Sequence, residues 1–495
     1  MRRSAPTVAK DDRPQVVDVV RWILIGGAVA FAAAGLWIRF RFGAVLLEQV
    51  LSSLPGSSGG SGFGDAMLAV ELAAWVVVPL AVAAVVAVLI VRRGHRTGRF
   101  AGRMSLRSIL LPLLAAMLSL GSFLSITGVP QYLYSLTDHR SIEPYYVTPA
   151  VSGTPAKPLN LITIYLEGVE DDFSDPAMFG ENLLGDLDRA TADWSSYRRL
   201  EQPAIGGWTM AGIVATQCGI ALKSELLQAG FDPNETGQRI PGYLPGAVCL
   251  GDLLKRAGYS GTFLGGADTA FAGKDKYFLS HGYQTVLGLA HWKDIGESGA
   301  DISDWGLSDQ RLFRRAADVV DELHESGQPF NLTLLTLDTH EPFATRTSCD
   351  AAGREPLAAA TTCSIRAVAG FLDHLRASGY LKDTVVMITS DHLRWGAGGV
   401  PFRDGHAREG RRALVFRLWS PSPLHLGVAR GDQFSVLPTV LEALGFGVPD
   451  GRAGLGLSLL GDRPVRGIAL ALPAEEYAAL LAAPSRDFYA RLWSG

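Results

Sequence analysis

No cysteine precedes Cys218 in this 495-residue chain, and the 4 present, at Cys218, Cys249, Cys349 and Cys363, include no CxxC pair. That spacing excludes the common structural zinc modules. An even number confined to one segment fits two disulfides in an oxidising compartment, with four buried thiols in a cytosolic domain as the alternative. An excess of charge of one sign is also missing. The 45 basic and 49 acidic residues leave a net charge of only -4, which gives no reason to expect a nucleic-acid partner. No internal repeat is evident, so solenoid architectures are excluded.

Long apolar runs, by contrast, are plentiful. Hydrophobic residues make up 48% of the chain, mean hydropathy is +0.18, and the excess lies before Val129. Three runs, Val19 to Ile38, Met67 to Val91 and Ile109 to Val129, are long enough to cross a bilayer as helices, which takes roughly 20 residues. Pro79 and Pro112 fall inside two of them, as packed spans tolerate. Arg92, Arg93, Arg96, Arg99, Arg103 and Arg107 crowd the connection between the second and third runs without one acid. The positive-inside rule keeps such a short loop in the cytoplasm, together with Arg2, Arg3, Lys10 and Arg13. Three crossings then place everything after Val129 outside, and Arg39 and Arg41, on the other side of the first span, are outnumbered. The first run has basic flanks and no convincing A-x-A site, so it reads as an uncleaved anchor. Residues 54–62 read as a flexible linker. Residues 1–129 are thus expected to form a three-span membrane domain, and 130–158 a juxtamembrane tether lying on the membrane surface.

Beyond Pro158 the pattern changes. Apolar, β-branched runs at Leu159–Leu166, Thr262–Leu264, Asn331–Leu337, Thr384–Thr389 and Ala413–Leu418 alternate with helical periodicity at Leu250–Ala257, Leu312–Leu323 and Ile365–Leu375. Continuous apolar strands between amphipathic helices predict an α/β domain over 159–465, with a mostly parallel sheet flanked by helices. The remaining 466–495 carry a helical stretch near Ala474–Leu481, able to pack on the core or on the membrane.

Ligands of such sheets bind beyond the carboxyl ends of the strands. Glu167 follows the first strand, Asp338-Thr339-His340 follows the strand at 331–337, and Ser390-Asp391-His392 follows the strand at 384–389. Hard carboxylate oxygens with an imidazole favour a divalent cation: manganese, zinc or magnesium. Gly206-Gly207-Trp208-Thr209 leads into a helix-compatible stretch. A threonine there serves as an N-cap or, beside a cation, as a nucleophile at a phosphate-binding helix start.

These residues resemble the alkaline phosphatase and sulfatase superfamily, in the branch of lipoteichoic acid synthases and of the phosphoglycerol transferases that decorate bacterial periplasmic glucans. Matching stretches are Thr209–Gly219, Cys249–Lys255, Phe271–Asp275 with Ser280–Gly282, Asp304–Gly306, Leu337–His340, and Lys382–Val385 running into Ser390–Leu393. The resemblance spans about 160 to 395, continuing more weakly towards Gly445. It implies Glu167, Thr209, Asp391 and His392 as metal ligands, with Thr209 also the nucleophile. His340 would contact the substrate phosphate, and Lys274 falls where relatives carry a basic residue near the glycerophosphate, a solvated surface lysine being the competing reading. His281, Asp304 and Trp305 match in positions compatible with a structural role. The pairs Cys218–Cys249 and Cys349–Cys363 are also implied. The larger glucan-modifying enzymes run well past the point where this chain ends, and Ser435 stands where some relatives have Asp. Both departures bear on the acceptor more than on the chemistry. The Cys/Ser-x-Pro-x-Arg signature of formylglycine sulfatases is absent.

The expected function is therefore transfer of glycerophosphate from phosphatidylglycerol to a periplasmic glucan. The route is a covalent threonine intermediate that releases diacylglycerol, on a multi-pass protein of the inner (plasma) membrane. A phosphoethanolamine transferase or phosphodiesterase is the alternative within the superfamily. A non-catalytic membrane receptor or scaffold is the alternative outside it, and it predicts a missing metal ligand.

Overall fold

The computed structural model describes residues 16–42, 62–96, 107–153, 155–223, 240–303, 305–341, 343, 354–394 and 412–494. The linker expected at 54–62 lies, save for Gly62, outside them, as does Cys349 of the expected Cys349–Cys363 pair. The chain divides into two compact units.

In the first unit, helices Val16–Phe42 and Gly62–Arg96 contain the first two expected runs and Arg107–Ile126 carries the third as far as Ile126, with Pro79 and Pro112 inside the second and third helices. Each holds a stretch of 18 to 22 residues apolar enough to span a bilayer. Many of their apolar side chains face outward, Val70 and Leu111 each being 69% exposed, although the first helix buries Ala28, Ala33, Trp37 and Ile38. Such apolar surface is untenable in water and suits lipid, so the protein is membrane-anchored.

The second unit is built on a 7-stranded sheet. Its strands are β1 (Asn160–Leu166), β2 (Ser195–Ser196), β4 (Ser260–Gly265), β5 (Thr285–Leu287), β6 (Phe330–Leu335), β7 (Thr384–Ser390) and β8 (Phe416–Trp419). They lie in the order β2-β8-β7-β1-β6-β4-β5. A short pair, β3 (Leu200–Glu201) with β9 (Gly431–Asp432), lies apart from it. From β7 to β5 every pairing is parallel. β1, β6 and β7 are buried at every residue, which is why they read as unbroken apolar runs rather than alternating ones. The expectation of a mostly parallel sheet holds, with one amendment: β8 runs antiparallel to β7 and to β2. β8, Phe-Arg-Leu-Trp, carries nothing that marks its direction, so sequence does not reveal it.

Alternation of side chains along β1 separates two cores. Leu161 and Tyr165 face the helix Thr209–Cys218, while Ile162, Ile164 and Leu166 face the helices Asp309–Glu325 and Pro356–Ala377. The C-terminal residues join the first core through helices Ala474–Ala482 and Arg486–Ser494, which bury Tyr477, Leu480, Leu481, Phe488, Tyr489 and Leu492. They also hold part of the segment expected to be a juxtamembrane tether. Ile142 N donates to Ser485 Oγ at 3.0 Å, Tyr146 packs edge-on against Phe488, and Arg491 pairs with Glu143. Residues 142–153 are thus strapped to the α/β domain by side chains remote in sequence, which no local pattern signals.

Candidate metal and phosphate site

The sheet order sets the site. β7, β1 and β6 are neighbours, so the residues that follow them emerge together at one edge. Glu167 leaves β1, and Gly168 turns the chain at φ +57°, a left-handed conformation suited to glycine. The turn aims Gly168 N at Asp391 Oδ1, 2.9 Å away, and His392 N donates to the same oxygen at 2.7 Å. His392 Nδ1 donates to the Leu393 carbonyl at 2.8 Å, which leaves Nε2 to face Glu167 Oε1 at 3.2 Å and Asp391 Oδ2 at 3.5 Å. All three residues are buried, and one ligand atom from each lies within 4.8 Å of the others.

Thr209 completes the group from another direction. It is the first residue of the helix Thr209–Cys218, Trp208 occupies the cap, and no side chain caps the helix. The threonine hydroxyl instead donates to Glu167 Oε2 at 3.0 Å. Of the two roles open to Thr209 in sequence, the capping one is not used.

The donor set fits a divalent cation on two counts. Asp391 Oδ2 is buried and has no hydrogen-bond partner among the described residues, an arrangement that buried carboxylates avoid unless something binds them. Two carboxylates, an imidazole nitrogen and a hydroxyl also form the hard set such ions prefer. The charges strain one another without a cation. Burial raises Asp391 well above the usual carboxylate range, and neighbouring Glu167 pushes it further. Burial works to raise Glu167 too, but the His392 imidazolium and His340 hold it below that range. Burial opposes the imidazolium of His392, yet Asp391 and Glu167 outweigh it and lift that group to about 9.

His340 lies beside this cluster. Thr339 Oγ1 donates to the Glu167 carbonyl at 2.5 Å, and the His340 ring rests 4.2 Å from that of Trp305. Asp338 turns away, into a reciprocal arrangement with Asp309. Asp309 N donates to Asp338 Oδ2, while Leu337 N and Asp338 N donate to the Asp309 carboxyl. Burial and the adjacent Asp338 push Asp309 up to about 8.

Lys274 is not a solvated surface lysine. It is only 5% exposed, and its ammonium donates to the Phe271 carbonyl at 2.8 Å and lies 4.8 Å from the centre of the Phe271 ring. Burial depresses it to about 8, against the opposing pull of Glu167, Asp268 and Asp275. Asp304 lies outside the described residues. His281 is buried between Asp252 and the Tyr243 carbonyl, a structural placement. Cys218 and Cys249 form the expected disulfide, tying the end of the Thr209 helix to the start of the helix Leu250–Arg256.

Three supporting residues escaped the sequence reading. Gln433, fully buried, donates to the Asp391 carbonyl at 2.7 Å, and Gln202 accepts from Leu393 N at 2.5 Å. The third is Gly212, where an added Cβ would stand 1.7 Å from the Asp391 carbonyl oxygen. Glycine inside a helix costs about 1 kcal/mol relative to alanine, so its presence there was a readable sign of close approach. Gly212→Ala is expected to destabilise the domain by about 3 kcal/mol or more, reversing the usual helix preference. Gly370→Ala, in the helix Pro356–Ala377 with nothing within 4 Å of its added Cβ, should instead stabilise it by about 0.5–1 kcal/mol. Thermal denaturation of the two variants checks the contrast in sign.

The chain is similar to several known proteins. Residues 223–446 match the Sulfatase family model. Phosphoglycerol transferase I of Xanthomonas campestris pv. campestris is 34% identical over 340 residues, 65% of this chain and 45% of the relative. Phosphoglycerol transferase I of Escherichia coli is 34% identical over 337 residues, 66% of this chain and 42% of the relative. The chain therefore spans under half the length of these two. Among solved structures, an alkaline phosphatase superfamily protein from Vibrio parahaemolyticus superposes with a TM-score of 0.51 at 17% identity. That match covers 74% of this chain and 96% of that one, and at that identity it speaks for the fold alone. The α/β domain that follows the membrane helices in the chain thus has an alkaline phosphatase/sulfatase-like fold.

Proposed function

We propose that this chain is a phosphatidylglycerol-dependent phosphoglycerol transferase. Its α/β domain works in the periplasm, anchored in the inner (plasma) membrane, and a periplasmic glucan is the acceptor. The observation that carries this reading is the Thr209 hydroxyl, hydrogen-bonded to Glu167 in a buried Glu-Asp-His cluster, in a chain similar to phosphoglycerol transferase I.

Glu167, Asp391, His392 and Thr209 would hold one divalent cation, manganese in our reading. When bound, it lowers the pKa of the hydroxyl and offsets charge on the phosphoryl oxygens. Thr209 gives up its hydroxyl proton as Oγ1 forms a bond to the donor phosphorus and the bond from phosphorus to the diacylglycerol oxygen breaks. The departing oxygen takes up a proton. A glucan hydroxyl then attacks the same phosphorus, gives up its proton, and frees Thr209. His340 hydrogen-bonds the phosphate, and Lys274 supplies a positive charge for it. A lipid donor gives the membrane helices a purpose, because anchoring raises its effective concentration.

The test is incubation of the purified full chain with manganese, labelled phosphatidylglycerol and a glucan, followed by mass spectrometry of the protein and products. Diacylglycerol, a glycerophospho group on Thr209 and a modified glucan are expected. Consumption of phosphatidylethanolamine instead, or release of glycerophosphate with no acceptor modified, would overturn this reading in favour of the corresponding relative activity.

The lysine gives a pH signature. Lys274 is cationic below about 8 and neutral above it, so the KM for the anionic donor should climb as pH rises through 8. Lys274→Met should raise KM by about 10-fold at pH 7 and flatten that rise, the loss corresponding to one charged hydrogen bond. Steady-state kinetics between pH 6.5 and 9 measure both, with pH values chosen from roughly one unit on either side of the group's range.

A further inference from the structure

We propose that Arg394 is a positioning residue for His340, clamping the loop that bears this histidine onto the loop that bears Asp391 and His392. The inference rests on the transferase reading for its kinetic consequence but not for its geometry.

The sheet creates the need. β6 and β7 each pair with β1 and not with one another, so the loops beyond them are separated by a full strand. Among the described residues, Thr339 Oγ1 ties the His340 loop to β1 through the Glu167 carbonyl. Arg394 supplies a direct cross-link over the end of β1. Its Nη1 donates to the Thr339 carbonyl at 3.0 Å and its Nη2 to Glu341 Oε1 at 2.6 Å, so the fork grips the loop on both sides of His340. His340 Nδ1 is itself engaged by the Glu341 carbonyl at 2.7 Å, which ties the orientation of the ring to the segment Arg394 holds. The guanidinium also lies 4.9 Å from the centre of the Phe343 ring. Gly168 leaves room beneath it, since even an added Cβ there would come no nearer than 3.8 Å to Nη1.

The base of the clamp is equally fixed. Arg394 N donates to Glu170 Oε1 at 2.9 Å, and Arg412 donates to the Arg394 carbonyl at 2.5 Å. Glu170 is fully buried and pairs with Arg412 as well. Only 11% of the Arg394 side chain is exposed, so its charge is largely withdrawn from water and depends on these partners. A lysine carries the charge but not the planar fork, and cannot serve two acceptors in this geometry.

The test uses the full chain in detergent, loaded with manganese, as Arg394→Lys, Arg394→Gln and His340→Ala singly and Arg394→Gln with His340→Ala together. Hydrogen exchange should quicken by about 10-fold across 336–341 in both Arg394 variants and stay unchanged in β1. Bound manganese should match the parent protein. With phosphatidylglycerol as donor, kcat should fall by about 10- to 100-fold with KM little altered, the cost of a misplaced group. Added to His340→Ala, Arg394→Gln should cost less than about 3-fold, because its effect runs through that histidine. Unchanged exchange at 336–341, loss of manganese in step with activity, or an equal kcat penalty in the His340→Ala background would each overturn the clamp. If the parent protein turns over no phospholipid, the transferase reading fails, and the exchange result alone then decides the role of Arg394.

Discussion

Thr209→Ala is expected to yield a folded protein that is not labelled by the donor and transfers at less than about one ten-thousandth of the parent rate, the scale of losing the proposed nucleophile. The fold should survive because the hydroxyl has little structural work to do. The helix it opens takes no side-chain cap, and its first residue tolerates alanine. Alanine forgoes the hydrogen bond to Glu167 Oε2, at a cost of about 1 kcal/mol. Thr209→Ser keeps an oxygen at nearly the same place and should retain both labelling and a measurable part of the rate. Intact-protein mass spectrometry after brief exposure to phosphatidylglycerol separates the three proteins. Labelling of the alanine variant would move the nucleophile elsewhere, and full activity in it would remove the covalent step altogether.

What was legible in the sequence was whatever the strands themselves carry. β1, β6 and β7 are buried on both faces, so their apolar runs stand out, and polar residues that soon follow each run, Glu167, His340, Asp391 and His392, fall at the edge where a parallel sheet binds ligands. Thr209 needed the family resemblance, since threonine before a helix most often reads as a cap. What was not legible depends on pairs remote in the chain. The direction of β8, the burial of Lys274, and the strapping of residues 142–153 by Ser485, Phe488 and Arg491 leave no periodic trace. Arg394 and Gln433 look like ordinary polar residues beside a motif. Their roles appear only when the sheet order brings the His340 loop, the Asp391 loop and the β9 turn together.

Asp391→Asn should separate what the site needs for chemistry from what the fold needs for stability. The aspartate is fully buried. Its Oδ1 already takes two backbone N–H groups, while Oδ2, 3.5 Å from His392 Nε2, has no hydrogen-bond partner among the described residues and lies beside the Glu167 carboxylate. Asparagine preserves the acceptor and replaces the unpaired oxygen with an amide able to donate to Glu167. Without metal the variant should melt at or above the temperature of the parent protein, gaining up to about 2 kcal/mol from an unsatisfied buried group relieved. The sign with pH follows from the raised pKa. In the parent protein Asp391 favours the folded state while protonated, and that contribution is lost as pH rises through its folded pKa. The advantage of asparagine should therefore widen from pH 5 to pH 8, less the share of the His392 imidazolium's stabilisation that Asp391 supplies, because His392 keeps only Glu167 to lift it in the variant. Manganese reverses the order. At a hundredfold excess over its dissociation constant it should stabilise the parent protein by about 2.7 kcal/mol. It should leave the variant nearly unmoved, with transfer reduced by about 10³-fold or more. Calorimetry of both proteins with EDTA or manganese at the two pH values tests the crossing. A variant less stable than the parent protein in EDTA at pH 8, or one that manganese stabilises equally, would mean that Asp391 is held there for structure and not for a cation.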